Sequence, residues 1–309
     1  MILRYAYLSR HPRVFVSMTG LRPAEFAELV RAVLPAYAAA AQARLSRPGR
    51  QRAIGAGHPF ALSPRDQLLL TVVWLRQYPT QEALGYFFGV SDTAARSAIG
   101  RMLPLLEASG RDTMRLPDPG LKHRRHTDAV LHDVPELAVL VDSFEQRCQR
   151  PSARKEADDY YSGKKKMHTL KSQVAVRADD GRIVDVGPSV PGPTADLTLL
   201  DQSGLGDRLS PDCGLGGDLG YVGIATVHER GATPRRKPRG KERPPEDVAY
   251  NQAFARERVI VEHSIRRLRR FEALSQTDRH RRVGHGARVC AVAGLVNRHI
   301  VHQQRRRAA

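Results

Sequence analysis

The sequence predicts two joined folds: an all-α block containing a helix-turn-helix, then an α/β block. Three observations support the division. Residues 1 to about 115 carry apolar residues at helical spacing behind recognisable caps. Residues 116–135 are rich in Pro, Gly, His and Arg and read as a linker. From 136 to 309, short apolar runs alternate with helical patterns. A chain of 309 residues has room for two domains of roughly 150 residues each.

The elements follow in order. Pro23 suits the opening turn of a helix that continues through Phe26, Leu29, Val30, Val33 and Leu34. Pro35 is expected to kink or end it. Residues 44–59 hold Arg, Gly and Pro and read as an exposed loop. Ser63-Pro64-Arg-Asp66 starts a second helix, with the serine as cap and the proline at the first position. In the second block, Leu137 to Asp142 is a compact apolar strand expected to end on its carboxylate. Thr169–Val176 and Ile183–Val186 read as strands, with a turn at Asp180-Gly181 between them. A helix is expected from Thr198 to Gln202, with Asp196 near its N-cap. Cys213–Asp218 reads as a short strand with glycines. Residues 229–247 contain seven Lys or Arg and four Asp or Glu among prolines, and read as a basic loop or insertion. Long helices are expected over Ala249–Phe271 and Val283–Val301, the latter with Val289, Val292, Val296 and Ile300 as a buried stripe.

Charge narrows the function. Lys and Arg number 50 against 32 Asp and Glu, a formal net charge of +18. Such an excess points to a polyanion, and nucleic acid is the commonest. The three cysteines, Cys148, Cys213 and Cys290, are widely spaced, which argues against a disulfide framework or a Cys-x-x-Cys zinc site. No run approaches the ~20 apolar residues of a membrane span, and Met1–Ser17 lacks the apolar core of a signal peptide. The expectation is a cytoplasmic, nucleoid-associated protein on DNA.

The segment from Thr80 to Leu103 has helix-turn-helix spacing. Gly85 allows a close helix crossing, Gly89 suits a left-handed turn, and Ser91 caps the second helix. Val90, Ala95 and Ile99 are expected to face the core. That leaves Asp92, Thr93, Arg96, Ser97 and Arg101 for solvent or the major groove, with Thr93, Arg96, Ser97 and Arg101 as the candidate DNA contacts.

Three acids stand out against this basic background. Asp142 terminates an apolar run, where a carboxylate has no packing role. Asp218 lies in Gly216-Gly-Asp-Leu-Gly-Tyr221, whose small residues permit close approach of a backbone. Glu262 follows the apolar run Val259-Ile-Val261, which predicts a helix buried on more than one side, where an acid needs a partner or a metal. Carboxylates are the natural ligands of Mg²⁺, and paired Mg²⁺ ions suit phosphodiester chemistry.

The order of these motifs resembles insertion-sequence transposases of the DDE superfamily, in the insertion-sequence-5 group related to Harbinger elements. Leu62 to Arg76 and the following helix-turn-helix are similar to the family's DNA-binding region. Val141-Asp142 is similar to its first catalytic aspartate, Tyr161 to His168 to its basic strand-opening motif, Pro191 to Asp196 to the loop before its first helix, and Gly217-Asp218-Leu-Gly-Tyr221 to its second aspartate. The family's third motif, Tyr-x2-Arg-x3-Glu-x6-Lys, stands here as Ala255-x2-Arg258-x3-Glu262-x6-Arg269, with alanine for tyrosine and arginine for lysine. The resemblance implies an RNase H-like catalytic domain with a mixed sheet. It implies metal ligation by Asp142, Asp218 and Glu262, with Mg²⁺ or Mn²⁺ as two ions. It also implies phosphate contacts from Lys164, Lys165, Lys166, Lys171, Arg258, Arg266 and Arg269. The partners are then double-stranded DNA, at terminal inverted repeats and at the target, and further copies of the chain in a homodimer or larger assembly. A catalytically decayed DNA-binding regulator and a nuclease that does not join strands are compatible with the same residues.

Overall fold

A computed structural model describes residues 3–46, 49, 51, 60–118, 129–131 and 136–308. Most of the expected loop at 44–59 and of the linker at 116–135 lies outside them. Two compact units emerge: Met1–Asp112 with Arg270–Ser275 and Cys290–Ala309, and Thr113–Arg269 with Gln276–Val289.

The first unit is helical: α1 Tyr5–Leu8, α2 Pro12–Thr19, α3 Pro23–Leu45, α4 Pro64–Gln77, α5 Gln81–Phe88 and α6 Asp92–Arg111. Helix α4 is its centre, since every residue from Gln67 to Leu75 is buried. Its start follows the expected chemistry, with the Ser63 hydroxyl accepting from the Asp66 amide at 3.1 Å. Helix α3 differs from expectation by running through Pro35 to Leu45. Proline deletes one backbone hydrogen bond, and the alanine-rich run from Ala36 to Ala43 has the helix propensity to continue past it.

Helices α5 and α6 form the helix-turn-helix. Thr80 and Ser91 cap them, accepting from the amides of Ala83 and Ala94. Gly89 takes φ 57° at the turn. A Cβ on Gly85 would stand 2.7 Å from the Val90 carbonyl, so only glycine fits there.

The second unit carries a mixed sheet of seven strands: β1 Leu137–Arg147, β2 Tyr161–Ser162, β3 Met167–Arg177, β4 Ile183–Val186, β5 Val190–Pro191, β6 Gly214–Gly216 and β7 Gly231–Ala232. Strand β3 is antiparallel to β1, β4 and β5, whereas β6 is parallel to both β1 and β7. This is the order of an RNase H-like sheet. Among the described residues the second unit also holds the helices α7 Arg154–Tyr160, α8 Asp196–Ser203, α9 Leu205–Arg208 and α10 Pro245–Leu268, while α11, His285–Ala308, begins in this unit and lies mostly in the helical one. One core face gathers Val139 and Val141 of β1, Ala175 of β3, Leu200 of α8 and Leu215 of β6.

Three expectations need correction. Asp142 is mid-strand, because antiparallel pairing with β3 carries β1 on to Arg147. The basic segment 229–247 is not all loop, since Gly231 and Ala232 form the edge strand β7. Cys290–Ala309 groups with the helical unit, where Val292, Val296 and Ile300 are buried as their spacing predicts. Gly294 meets Gly110 of α6 so closely that a Cβ on either would strike the other helix's backbone.

A polar network is sealed within the second unit. His285 is fully buried, its Nε2 2.8 Å from Gln146 Oε1 and its Nδ1 2.8 Å from Ser189 Oγ. Burial, reinforced by Arg288, pushes its pKa down to about 4, against the opposing pull of Asp278. Neutral imidazole is therefore the folded form, while the unfolded chain protonates near its ordinary value of 6.5. This contribution is fully present above pH 6.5 and is lost as the pH falls toward 4. Between pH 7.5 and 5 the loss is about 2 kcal/mol. Chemical denaturation at both pH values should show the stability gap between wild type and His285→Gln narrowing by that amount at pH 5. A gap independent of pH would contradict a neutral buried imidazole.

Candidate carboxylate site

Sheet register creates the site. Leu140 of β1 lies beside Gly216 of β6 in parallel pairing. Strand β6 stops there, while β1 continues. Extending both chains two residues in that register sets Asp142 beside Asp218, at the ~4.8 Å spacing of neighbouring strands. The backbone of Asp218 remains extended, at φ −83° and ψ −171°. Its carboxylate then accepts from the Gly220 amide at 2.8 Å, starting a single 3-10 turn over Leu219–Tyr221.

A third aspartate joins them. Asp196, expected near the N-cap of a helix, is the first residue of α8, directly after the N-cap Ala195. Its Oδ1 accepts from Ser143 Oγ at 2.7 Å and from Lys171 Nζ at 3.0 Å. A Cβ placed on Gly220 would lie 2.5 Å from Asp196 Oδ2 and 3.0 Å from Asp218 Oδ1. Both carboxylates thus crowd the same point, and a side chain at Gly220 would have to displace them.

The electrostatics follow from this crowding. Burial raises the Asp142 pKa to about 6. Asp218 and Asp196 add to the rise, opposed by a hydrogen bond from the Ser143 amide and by Arg258. The Arg258 guanidinium is 3.6 Å from Asp142 Oδ2, and its buried Nε has no hydrogen-bond partner. Buried Tyr221 has its phenol pushed well up, by burial first and then by Asp196, Asp142 and Asp218. Hard carboxylate oxygens are the donor type that suits a divalent cation.

The remaining sequence candidates divide. Glu262 lies one turn beyond Arg258 on the same side of α10, but it is exposed, as is Val259. Helix α10 therefore buries one side only, against β1 and β3, contrary to the expectation drawn from its apolar run. Among the described residues no three His, Cys, Asp or Glu side chains are arranged to hold a metal ion. Glu262 does not close a three-acid site in this conformation, where Arg258 occupies Asp142. Lys171 is not free for phosphate: its side chain is 9% exposed and its ammonium also donates to the Thr194 carbonyl at 2.5 Å. Lys164, Lys165 and Lys166 are exposed in the turn before β3. Val174 pairs with Asp142, eight residues or roughly 25 Å along the strand from Lys166. Arg266 and Arg269 are exposed near the end of α10.

In the first unit, Thr93, Arg96 and Ser97 are exposed along α6. Arg101 is not, because it turns back to donate to Gln67 Oε1 at 3.0 Å.

Asp196 and Ser143 are the functional candidates that sequence reasoning missed. The available signal was Lys171, a lysine within a strand otherwise buried from Thr169 to Val176. A lysine so placed needs an anion.

Comparison with known proteins shows the family. The family described as DDE superfamily endonuclease matches residues 141–297. The helix-turn-helix of DDE superfamily endonuclease matches residues 60–112. A probable transposase for insertion sequence element IS702 from Microchaete diplosiphon is 29% identical over 285 residues, covering 92% of this chain and 94% of that protein. A putative transposase for insertion sequence element IS112 from Streptomyces albus G is 24% identical over 269 residues, covering 85% and 86%. No solved structure matches the chain.

The charge balance is testable at Asp142. Asp196→Asn removes a like charge and should lower the Asp142 pKa from about 6. Arg258→Gln removes an opposite charge and should raise it. Carboxyl ¹³C shifts followed through a pH titration read both. Shifts of the same sign in the two variants would contradict the cluster.

Proposed function

The chain belongs to the DDE superfamily endonucleases, and on that premise we propose that it is a transposase. It cleaves phosphodiesters at the terminal repeats of its element and transfers the freed 3′-hydroxyl into target DNA. The observation that supports this most is the register-fixed pair Asp142 and Asp218 at the open end of β6. The two insertion-sequence relatives support the same reading over nearly the whole chain.

Asp142 and Asp218 would hold the divalent metal that DDE enzymes use. Mg²⁺ or Mn²⁺, as two ions, is the proposed species. Glu262 is proposed as the third ligand, brought in when α10 adjusts on DNA. When bound, such ions supply Lewis acidity to the phosphodiester and favour ionisation of the attacking water. Arg258, with an unbonded buried Nε, is placed to donate to a phosphate oxygen once its contact with Asp142 is relieved. Asp196 keeps Ser143 and Lys171 in place and so fixes the strand next to Asp142. Arg266, Arg269 and the Lys164–Lys166 turn are proposed contacts to more distant phosphates. Helix α6 reads the terminal repeat through Thr93, Arg96 and Ser97. The working assembly is a homodimer or larger on DNA.

The test incubates the full-length protein with Mg²⁺ or Mn²⁺ and duplex DNA carrying the element's ends. Cleaved ends and joined products are expected. Asp218→Asn should reduce both to background while DNA affinity stays near wild type, and cleavage by that variant at the wild-type rate would contradict the assignment. Cleavage without joining would favour a nuclease, and binding alone a regulator.

Recognition is tested separately. Arg96→Ala should cost about 1–3 kcal/mol in discrimination between the element's end and unrelated duplex. Unchanged discrimination in a competition titration would remove α6 from the reading.

A further inference from the structure

A basic cleft lies in the helical unit. Tyr37, Ala40, Ala41 and Arg44 of α3 line a cleft with Arg101 and Leu105 of α6. The Arg101 guanidinium carbon is 4.2 Å from the centroid of the Phe60 ring, and that of Arg44 is 5.9 Å from the same centroid. Two cations therefore converge on one half-exposed aromatic ring. Neither forms an ion pair with a described residue, and no Asp or Glu occurs between Arg44 and Arg65. The groups acting on the Arg101 charge are burial, Arg44 and Tyr37, with no carboxylate among them.

Two guanidiniums held together without an anion cost free energy that a doubly contacted anion offsets. The rest of the cleft constrains what that anion is attached to. Ala40, Ala41, Leu105 and the Tyr37 ring present apolar surface beside the charges. A bare inorganic anion leaves that surface unused, whereas a sugar–phosphate covers it with C–H groups and presents its phosphate to the arginines.

Position along α6 identifies the source. Thr93, Ser97 and Arg101 are spaced four residues apart and share one side of the helix. Arg101 lies one turn, about 6 Å, beyond Ser97. A helix whose early turns face base edges in the major groove carries its later turns toward the flanking backbone. We propose that the Arg44–Arg101 cleft holds one deoxyribose-phosphate of the DNA backbone beside the groove that α6 reads, fixing the register of the helix on the duplex. The inference rests on the reading of α6 as the recognition helix, and it moves Arg101 from base reading to backbone positioning.

The test measures binding of the full-length protein to two duplexes, the element's end and an unrelated sequence, by fluorescence anisotropy between 50 and 200 mM salt. Arg44→Gln and Arg101→Gln should each weaken both duplexes alike, by about tenfold, and flatten the dependence of log affinity on log salt by about one unit. Arg44 is exposed, so its replacement leaves the fold intact. Ala41→Leu fills the cleft without changing charge and should also weaken both duplexes, with an unchanged melting curve. Wild-type binding by Ala41→Leu while the arginine variants flatten the slope would mean diffuse electrostatics and would overturn the cleft. An unchanged slope in both arginine variants would overturn it too, as would loss of discrimination rather than uniform weakening in Arg101→Gln. Competition by free deoxynucleotide at concentrations near those of duplex would assign the cleft to a soluble ligand and contradict the backbone proposal. The discrimination assay on Arg96→Ala fails or succeeds independently, so failure of the cleft is separable from failure of the recognition helix.

Discussion

Like charges brought together where one strand stops and its neighbour continues are the constraint on which the carboxylate site depends. Pairing of Leu140 with Gly216 fixes the register, and two residues later both chains present an aspartate. Two like unit charges about 4 Å apart repel by about 4 kcal/mol at an effective dielectric near 20. The surrounding sequence answers that repulsion piece by piece. Arg258 lies against Asp142, Lys171 and Ser143 hold Asp196, and the Gly220 amide is bonded to Asp218. Gly220 itself has no side chain because two carboxylates fill that space. Burial is the main reason that the Asp142 pKa stands at about 6, and Asp218 and Asp196 add to it. Carboxylate oxygens are the donors that suit a divalent cation, which is the reading proposed for Asp142 and Asp218.

Much of this was legible in the sequence, for physical reasons that differ by element. The helix-turn-helix was readable because its signals are local: Thr80 and Ser91 as caps, Gly85 and Gly89 where a side chain does not fit. Strand β4 was readable because Ile183–Val186 follows a turn at Gly181, whose φ is +73°. Asp142 and Asp218 were readable as acids in apolar or glycine-rich strand contexts. What stayed hidden depends on pairing between distant segments. Extension of β1 past Asp142 is enforced by β3, and β7 exists only because β6 offers it an edge. The role of Asp196 depends on Lys171 and Ser143, which are far from it in the chain. Glu262 illustrates the opposite error: an apolar run suggested burial, while the helix turns that acid outward.

The two units use arginine in different ways, and the difference bears on function. Near the carboxylates, Arg258 faces an acid and balances charge within the protein. In the helical unit, Arg44 and Arg101 contact the same aromatic ring, and Arg101 also donates to Gln67. Positive charge balanced internally serves the geometry of a site, and positive charge left unbalanced serves a polyanion. The net charge of +18 is therefore not spread uniformly in its purpose.

The central claim is that Asp142 and Asp218 share one divalent cation site. Electron paramagnetic resonance of Mn²⁺ titrated into the full-length protein at pH 7.5 tests it without requiring DNA or turnover. The account predicts bound Mn²⁺ in the wild type, and loss of that bound signal in both Asp142→Asn and Asp218→Asn with the fold retained. Equal Mn²⁺ binding by the wild type and either variant would contradict it.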